Sequence, residues 1–422
     1  MPETALFSLS HHVDIAWMYE AYRRTRKDGA AGIDGVTAKE FEQDLEANLQ
    51  ALLDGFKTME YRAPPVRRVE IPKPAGGTRS LGIPTLADKV LQRAVQMLLE
   101  PLYEQDFYDL SYGFRPNRSA HQAIDALDRA LFKAGRTVWV LEVDVKSFFD
   151  TIDHQALRDL LRLRVADGPV VRSVGKWLRA GVLADGVITT SAAGTPQGGV
   201  ISPLLSNIYL HHVLDTWWVK DVLPRMRGTA KLVRYADDFV RVFEREDEAL
   251  KVQETLSKRF SRFGLTLHPE KTRLIRFTPP SDPGGRGRGS GFDFLGFTFF
   301  AKRNPAGGWF PRTKTSSKST THALRSMDRW LRRNRHRPIP EQHKGLETRL
   351  RGHFGYFGIQ YNLAACWTLQ WLVGRRWRKW LNRRSQRRSM TWSAFNRLLK
   401  RYPLPRPRVR PRAPRSLWTA NL

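Results

Sequence analysis

The sequence predicts an α+β fold in which a β-rich central part lies between two helical parts of the chain. TVWVLEVDV, from residue 137, has the Val content of a buried strand, and KLVRYADDFVRVF reads as two short strands around Asp237–Asp238. Helical periodicity precedes them at 37–53 and 86–105, and returns after about residue 315. A mixed sheet with helices on one face is the simplest arrangement of such elements.

The remaining elements follow in chain order. YRAPPVRRVEIPKPAGGTRSLGIPT, between the first helices, contains five prolines and is predicted as extended segments with a turn at Gly76–Gly77. RLIRF and FDFLGFTFF are predicted as two more strands. Helices are expected between the strands, at 153–165, 170–180, 203–219 and 247–263. PPSDPGGRGRGSG, at 279–291, is predicted as a loop or linker, and the chain ends in a Pro/Arg tail.

The net charge of +30 lies almost entirely in the C-terminal part of the chain. Residues 1–300 hold 41 basic and 38 acidic residues, whereas 301–422 hold 30 basic and 3 acidic residues. The basic part also carries tryptophans, at Trp330, Trp367, Trp371, Trp377, Trp380 and Trp392. Cations interleaved with aromatic rings suit a phosphate backbone with stackable bases, so we expect nucleic-acid binding. A solvated charged face and an anionic membrane surface are the alternatives.

Composition argues against several other classes of protein. Cys366 is the only cysteine, which excludes disulfide frameworks and Cys-ligated zinc sites within the chain. No run of about 18 apolar residues occurs, and the N-terminus lacks the pattern of a secretory signal. The histidines show no paired metal spacing, and the motifs GxxxxGK(S/T) and GxSxG are absent from the sequence. We therefore expect a cytosolic protein with neither a membrane partner nor zinc.

Three aspartates form the candidate catalytic site. Asp144 ends the apolar strand in LEVDVKSFFD, and Asp237 and Asp238 lie between two β-rich arms. Taken alone, the adjacent pair is explained equally well by a turn or by a bound cation that relieves the repulsion between the carboxylates. Asp144 at the end of a second buried strand makes metal binding the better interpretation. Phosphoryl transfer to a sugar hydroxyl needs two cations roughly 4 Å apart, and Mg²⁺ prefers carboxylate oxygens.

The segment RYADDFV resembles the Tyr-x-Asp-Asp motif of reverse transcriptases, with Ala236 at the variable position. Other segments resemble, in order, the block series of group II intron-encoded reverse transcriptases, also called maturases. They are GIDGVT (32–37), IPKPAGGTRSLGIPTLADKVLQ (71–92), YGFRPNRSAHQAI (112–124), VDVKSFFDTIDH (143–154), GTPQGGVISPLLSNIYL (194–210), HPEKT (268–272) and FDFLGFTF (292–299). LRGHFGYFGIQYN (350–362) and NRRSQRRSMTWSAFNRLLKRYPLPRPR (382–408) resemble the thumb and maturase-specific region of that family. The resemblance extends over about residues 13–410.

The resemblance implies a right-hand polymerase. Its parts would be an N-terminal extension with helical fingers (1–135), a mixed-sheet palm carrying the YADD hairpin (136–300) and a basic, all-helical thumb/maturase domain (301–422). The implied activity is RNA-directed DNA synthesis, together with assistance to intron splicing and mobility. The implied partners are an RNA template, intron RNA, a DNA primer or target and dNTPs. The implied location is the bacterial cytosol, at the nucleoid when the protein is bound to target DNA.

Two alternatives stay open within this resemblance. One is a stand-alone, domesticated reverse transcriptase that acts in defence or repair. The other is an RNA-binding splicing cofactor whose polymerase activity is incidental. Many members of the family also carry an endonuclease with Cys-pair zinc ligands. This sequence has no such Cys or His cluster, so we expect no endonuclease.

The resemblance also assigns the metal ligands and a residue that selects the sugar. Asp144, Asp237 and Asp238 would hold two Mg²⁺ ions, which Mn²⁺ could replace, and the Val145 carbonyl would be a further ligand. Phe149 would lie beneath the incoming sugar and clash with a 2′-hydroxyl. Its alternative is a place in the core, since the neighbouring Phe148 is its equal by composition.

Four residues are implied to contact or support the nucleotide. Lys73 and Arg79 flank the Gly76–Gly77 turn and would grip the triphosphate, whereas a solvated basic hairpin is the alternative. Gln197, in PQGG, would line the nucleotide pocket. Lys271, in HPEKT, would support the active site, although a lysine beside carboxylates is also an ordinary ion pair.

The candidate RNA-binding residues are the cations of RRWRKWLNRRSQRR (375–388). They are Arg375, Arg376, Arg378, Lys379, Arg383, Arg384, Arg387 and Arg388. Like charges four residues apart destabilise a helix unless a polyanion neutralises them, which favours RNA binding over a merely solvated face.

Overall fold

The computed structural model describes residues 4–72, 77–133, 138–184, 187–189, 194, 198–278, 290–303, 309–384 and 389–409. The chain divides into two compact units, Met1–Arg276 and Phe277–Leu422. Both units combine helices with antiparallel strands, which confirms the predicted α+β class. None of the described helices is long and apolar enough to cross a membrane.

The first unit begins with helices and a β-hairpin and continues into a central sheet. Its helices are α1 (Ile15–Arg24), α2 (Ala38–Gln43), α3 (Leu45–Lys57), α4 (Leu86–Asp106), α5 (Ala120–Lys133), α6 (Phe148–Thr151), α7 (His154–Arg162), α8 (Gly168–Leu178), α9 (Ser202–Leu210) and α10 (Glu246–Arg262). Its strands are β1 (Val66–Pro72), β2 (Thr78–Ile83), β3 (Val138–Val143), β4 (Val182–Ala184), β5 (Val187–Thr189), β6 (Ala230–Tyr235), β7 (Asp238–Phe243) and β8 (Arg273–Phe277).

Helix α4 illustrates why the predicted helices form where they do. It begins after Thr85, whose hydroxyl oxygen accepts a hydrogen bond from the backbone N–H of Asp88. Apolar residues three or four positions apart, such as Leu91, Val95 and Leu98, form its buried face. The helix therefore packs into the large core of the first unit, which also takes in residues of β3, β7 and α9.

The central sheet of the first unit has the strand order β6-β7-β3-β8. β6 and β7 form an antiparallel hairpin in which Tyr235 pairs with Asp238, and β3 pairs antiparallel with β7. Between α9 and β6 the chain passes through π-helical turns at His211–Asp215 and Trp218–Val222. A second sheet has the order β2-β1-β4-β5, in which the β1–β2 hairpin pairs in parallel with β4.

The second unit contains its own sheet and its own helical core. The strands β9 (Gly291–Phe294), β10 (Phe297–Arg303) and β11 (Trp309–Thr315) form an antiparallel sheet in the order β11-β10-β9. The helices are α11 (Ser317–Asn334), α12 (Ile339–Phe357), α13 (Leu363–Asn382) and α14 (Trp392–Arg401). Leu331, Leu350, Leu369 and Trp377 lie in the core that these helices share.

The structure corrects two expectations. FDFLGFTFF is not one strand of a single mixed sheet, because a turn at Leu295–Gly296 divides it between β9 and β10 of a separate sheet. Leu295 and Gly296 both have positive φ, 49° and 79°, which reverses the chain. The region 301–422 is not all-helical, since it includes β11. The buried residues of β11 are Pro311, Thr313 and Thr315. Because none of them is a large apolar residue, the sequence lacks the alternation of apolar and polar residues that predicts a strand.

Candidate active site

The three predicted aspartates lie at one end of two neighbouring strands. Asp144 follows β3, and Asp238 is the first residue of β7. Because Val143 pairs with Phe239, the antiparallel register sets Asp144 beside Asp238. Asp237 belongs to the two-residue turn that joins β6 to β7. Sheet pairing therefore brings together carboxylates that are more than 90 residues apart in the sequence.

The backbone is strained on both sides of this group of carboxylates. Ala236, in the turn before Asp237, has a φ of 56°, and Ser147, three residues after Asp144, has a φ of 47°. A residue with a side chain in the left-handed region costs about 1–2 kcal/mol, and such strain persists only where surrounding contacts impose it. Residues of this kind cluster at active sites.

The electrostatics of the pair in the hairpin disfavour two free negative charges. Burial raises the pKa of Asp237 above its ordinary value, against the opposing effects of its own backbone hydrogen bond and the Arg79 charge. Asp238 opens onto solvent, although protein surrounds its carboxyl group on most sides. Desolvation, followed by the negative charges of Asp237 and Asp144, raises the pKa of Asp238, and the positive charges of Lys271 and Arg79 oppose this rise.

Asp144 is held by the segment that carries Lys271. Oδ2 of Asp144 lies 2.6 Å from Nζ of Lys271, and its backbone carbonyl accepts a hydrogen bond of 2.8 Å from the N–H of His268. Val145, the other predicted ligand, is buried and forms an antiparallel bridge with Leu267. Lys271 therefore contacts one of the three predicted catalytic aspartates, where it neutralises one of the clustered charges.

The donor set suits a hard cation, although the side chains are not gathered around one point. Among the described residues, no three His, Cys, Asp or Glu side chains are arranged as ligands of a single metal ion. One reason is that the Asp144 carboxylate is turned towards Lys271. The carboxylate oxygens of Asp144, Asp237 and Asp238 are the donors that Mg²⁺ prefers, and a cation would relieve their mutual repulsion. The residues present therefore fit the ion that the sequence predicts.

A cleft of about 710 Å³ opens beside the aspartates. Arg79, on β2, and the adjacent Phe148 and Phe149, on α6, line it. Phe148 belongs to the core with 2% of its surface exposed, whereas Phe149 is half-buried and packs edge-on against it, with ring centroids 5.4 Å apart. Of the two adjacent rings, Phe149 is thus the one that is partly open to solvent. Lys73 and Gln197 lie outside the described residues.

Two supporting residues were missed by the sequence interpretation. Gln92, buried in α4, accepts a hydrogen bond of 2.8 Å from the N–H of Val200 and so anchors the chain just after PQGG. A Cβ atom on Gly198 would lie 2.5 Å from the Gly82 carbonyl oxygen, so the segment passes too close to β2 for any side chain.

The other missed residue is Arg234, completely buried in β6. The sequence signal that could have identified Arg234 is its position, as a charged residue, between the apolar residues of a predicted strand.

The predicted RNA-binding cations in the second unit divide into two groups. Arg378 and Arg384 donate hydrogen bonds to backbone carbonyl groups, and Arg376 lies 3.8 Å from the Asp328 carboxylate. The others make ring contacts without a hydrogen bond or ion pair among the described residues. They are Arg375 over Trp371, and Lys379 and Arg383 over Trp380. Arg387 and Arg388 lie outside the described residues. The second group is therefore the one whose donors are free for phosphate.

Comparison with known proteins identifies the class to which this fold and site belong. Residues 71–299 match the family described as reverse transcriptase (RNA-dependent DNA polymerase). This match includes β2 to β9, with the end of β1 and the start of β10, and contains all three aspartates. The chain belongs to the reverse transcriptase family, and it is an RNA-directed DNA polymerase.

Curated relatives place the chain more narrowly. It is 36% identical to protein YkfC of Escherichia coli over 69% of this chain and 82% of that protein. It is 38% identical to the group II intron-encoded protein LtrA of Lactococcus lactis over 46% of this chain, but the match spans only 32% of LtrA. A weaker likeness, 28% identity over 31% of this chain and 23% of the relative, links it to nuclear intron maturase 2 of Arabidopsis thaliana. These matches confirm the resemblance to group II intron-encoded reverse transcriptases and maturases.

Proposed function

We propose that Asp144, Asp237 and Asp238 hold two Mg²⁺ ions, with the Val145 carbonyl as a further ligand, and that Mn²⁺ can replace Mg²⁺. The observation that carries this proposal is the pairing of Val143 with Phe239, which aligns the ends of β3 and β7. Bound there, the ions would supply Lewis-acid stabilisation of the attacking and leaving oxygens. The raised pKa values of the two hairpin aspartates support a site built to receive positive charge.

The reaction is the extension of a primer by one nucleotide. The 3′-hydroxyl oxygen of the primer forms a bond to the α-phosphorus of a dNTP, the bond to the β-phosphate oxygen breaks, and pyrophosphate leaves. The primer hydroxyl gives up its proton to solvent water. Asp144 would exchange its contact with Lys271 for the ion, and the released ammonium group would then lie beside the negatively charged reactants.

We propose that the cleft beside the aspartates receives the dNTP. Arg79 would contact the triphosphate, supported by its exposed position at the cleft and by its electrostatic effect on the aspartates. Lys73 would contribute a second cation from the same hairpin, and Gln197 would line the pocket. Phe149 would pack against the sugar and exclude a 2′-hydroxyl, supported by its half-buried position at the cleft wall.

We propose that the polymerase parts are fingers at 1–135, a palm at 136–300 and a thumb/maturase region at 301–422. The last region would bind the intron RNA that gives the protein its second role, in splicing and mobility. Its net charge of +27 and its free cations on α13 support this role. The template would be RNA, the primer or target DNA, and both polymers would be held largely through their phosphates.

Primer extension with the purified chain tests the proposed chemistry. We expect incorporation of dNTPs on an annealed RNA template with release of pyrophosphate, dependent on Mg²⁺ or Mn²⁺. Splicing of a precursor that contains the intron flanking its gene would test the second role. Template-dependent synthesis without any effect on splicing would favour a stand-alone polymerase, whereas splicing without synthesis would favour an RNA-binding cofactor.

A further inference from the structure

The turn between β6 and β7 is held by the side chain of Arg234, which has no exposed surface. Its guanidinium donates hydrogen bonds of 3.1 Å to the Ala236 carbonyl oxygen and 2.9 Å to Oδ1 of Asn207. Ala236 is the left-handed residue directly before Asp237. The guanidinium thus fixes the carbonyl group of the residue whose backbone conformation is least favourable in this turn.

Asp215 balances the charge of Arg234 and is equally buried. Nε of Arg234 donates to Oδ1 of Asp215 at 2.9 Å, and Nη2 donates to Oδ2, so the contact is two-pronged. Asp215 ends the π-helical turn His211–Asp215 that follows α9. A π turn redirects the side chains that follow it and is often found at functional positions. Here it delivers the carboxylate that keeps Arg234 in place.

Gly113 supports the same turn from its backbone side. Its carbonyl oxygen accepts a hydrogen bond of 2.8 Å from Nδ2 of Asn207. A Cβ atom at this position would lie only 2.3 Å from the Ala236 nitrogen. The neighbouring Tyr112 N–H donates to the Arg234 carbonyl oxygen at 2.9 Å, which ties this segment to β6. The turn is therefore enclosed between a hydrogen-bonded guanidinium and a glycine backbone.

We name this set of supporting residues the turn brace: Arg234, Asp215, Asn207 and Gly113. We propose that the turn brace sets the affinity of the active site for divalent metal ions by fixing the direction of Asp237 and Asp238. The inference rests on the proposed metal-binding role of these two aspartates. The brace residues are positioning residues, because they act through Ala236 and not as ligands.

Arg241, on β7, provides a matched control. It is as fully buried as Arg234 and lies one strand away. Its guanidinium packs over the rings of Trp218 and Phe239, and it has no hydrogen-bond partner among the described residues. It makes none of the contacts to Ala236 that distinguish Arg234. A lysine at either position replaces the planar fork of donors with a single amino group.

The experiment compares Arg234→Lys, Asn207→Ala and Arg241→Lys in the full chain. For each variant, we would measure the Mg²⁺ concentration that gives half-maximal primer extension, the rise in Tm that Mg²⁺ produces, and amide hydrogen exchange over residues 232–240. Primer–template affinity would be measured on the same preparations. Asn207→Ala is the milder change, so it carries the test if Arg234→Lys does not fold.

We expect Arg234→Lys and Asn207→Ala to raise the half-maximal Mg²⁺ concentration by about tenfold or more, as the loss of residues that orient metal ligands does elsewhere. Exchange should accelerate in the turn, the Mg²⁺-induced rise in Tm should shrink, and primer–template affinity should stay unchanged. Arg241→Lys should lower Tm without changing the Mg²⁺ requirement. The inference is overturned if the folded brace variants keep the normal Mg²⁺ requirement, or if Arg241→Lys raises it equally. Asp238→Asn separates this outcome from failure of the proposed function. If only the inference about the turn brace is wrong, Asp238→Asn is still inactive; if the aspartates do not bind the metal ions, Asp238→Asn stays active.

Discussion

At the scale of single residues, the candidate active site combines repulsion between neighbouring carboxylates with a strained backbone. Asp237 and Asp238 carry raised pKa values because protein surrounds them and because each lies near other carboxylates. Ala236 holds a left-handed conformation that alanine disfavours. Both features are present in the free protein, and they support the proposal that a cation binds there and relieves the repulsion between the carboxylates.

Phe149 is the residue whose replacement should change the choice of sugar. Phe149→Ala removes the ring at the cleft wall, so ribonucleotide incorporation should rise relative to dNTP incorporation. If the clash is worth about 1.4 kcal/mol in the transition state, the ratio should change about tenfold. Competitive single-nucleotide incorporation with dNTP and NTP pairs measures it.

Phe148→Ala is the control for that prediction. Phe148 lies in the core, so its truncation should cost about 3–5 kcal/mol of stability and leave the sugar ratio as it was. An unchanged ratio in Phe149→Ala, or an equal change in both variants, would remove Phe149 from this role.

At the scale of elements, α13 combines a packing face with a surface suited to RNA. Cys366, Leu369, Val373 and Trp377 recur at helical spacing on its buried side. On its outer side, Trp367 and Trp371 are 44% and 58% exposed, which is unusual for such large apolar rings. Arg375 lies one turn further along, with its guanidinium 4.7 Å from the Trp371 ring centroid. Exposed rings beside cations are the combination that stacks on bases and binds phosphates.

Replacing the free cations Arg375 and Lys379 of α13, together with Arg383 directly after the helix, should weaken RNA binding selectively. The triple variant Arg375→Gln, Lys379→Gln and Arg383→Gln should reduce the log–log salt slope of RNA affinity by about 0.7–0.9 for each phosphate that the protein no longer neutralises. Splicing of the intron should suffer, whereas the Mg²⁺ dependence of extension on a short primer–template should not change. Filter binding across a range of salt concentrations measures the slope.

The matched control removes the same charge from the first unit. Lys39→Gln, Lys57→Gln and Lys251→Gln alter exposed lysines on α2, α3 and α10. We expect this triple variant to keep the salt slope of the unsubstituted chain. Equal reductions in the two triple variants would mean that total charge, and not the surface of α13, governs RNA binding.

The elements also show how far sequence reasoning extends. β3, β6 and β7 were predictable because apolar runs with Val and Phe suit a buried sheet, and Asp144 stood out at the end of such a run. β11 was not, because its buried face consists of a proline and two threonines. The division of FDFLGFTFF into two strands depends on positive φ at Leu295, which its side chain gives no reason to expect.

At the scale of the whole molecule, the candidate catalytic aspartates and the excess positive charge lie in different parts of the sequence. The three aspartates lie in residues 1–300, which are nearly neutral, whereas 301–422 carry the net charge of +27. Because affinity for a polyanion follows the number of phosphates neutralised, binding and catalysis should respond to different substitutions. This separation is visible in the sequence.

What the sequence could not predict is how distant segments support the site. The turn brace joins Arg234 to Asp215 and Asn207, 19 and 27 residues away, and Asn207 to Gly113, 94 residues away. No period or motif links these positions, since their contact follows from the packing of α9 and its π turn against β6. Family resemblance implied which residues bind metal but gave no reason for a buried guanidinium beside them.

The central claim is that the carboxylates at the ends of β3 and β7 perform the chemistry of DNA synthesis and not the binding of nucleic acid. Asp238→Asn tests it most directly, because it removes a charge while keeping the shape of the side chain. Asp159→Asn, on the exposed face of α7, is the control, since such surface carboxylates contribute little to stability. Single-turnover extension, filter binding and Tm would be measured on the same preparations.

We expect Asp238→Asn to slow extension by about 10²–10³ or more, while primer–template affinity stays within a few-fold and Tm does not fall. Asp159→Asn should match the unsubstituted chain in all three measurements. Normal extension by Asp238→Asn would contradict the account. Loss of extension, affinity and Tm together would contradict it equally, because it would show that Asp238 serves the fold and not the reaction.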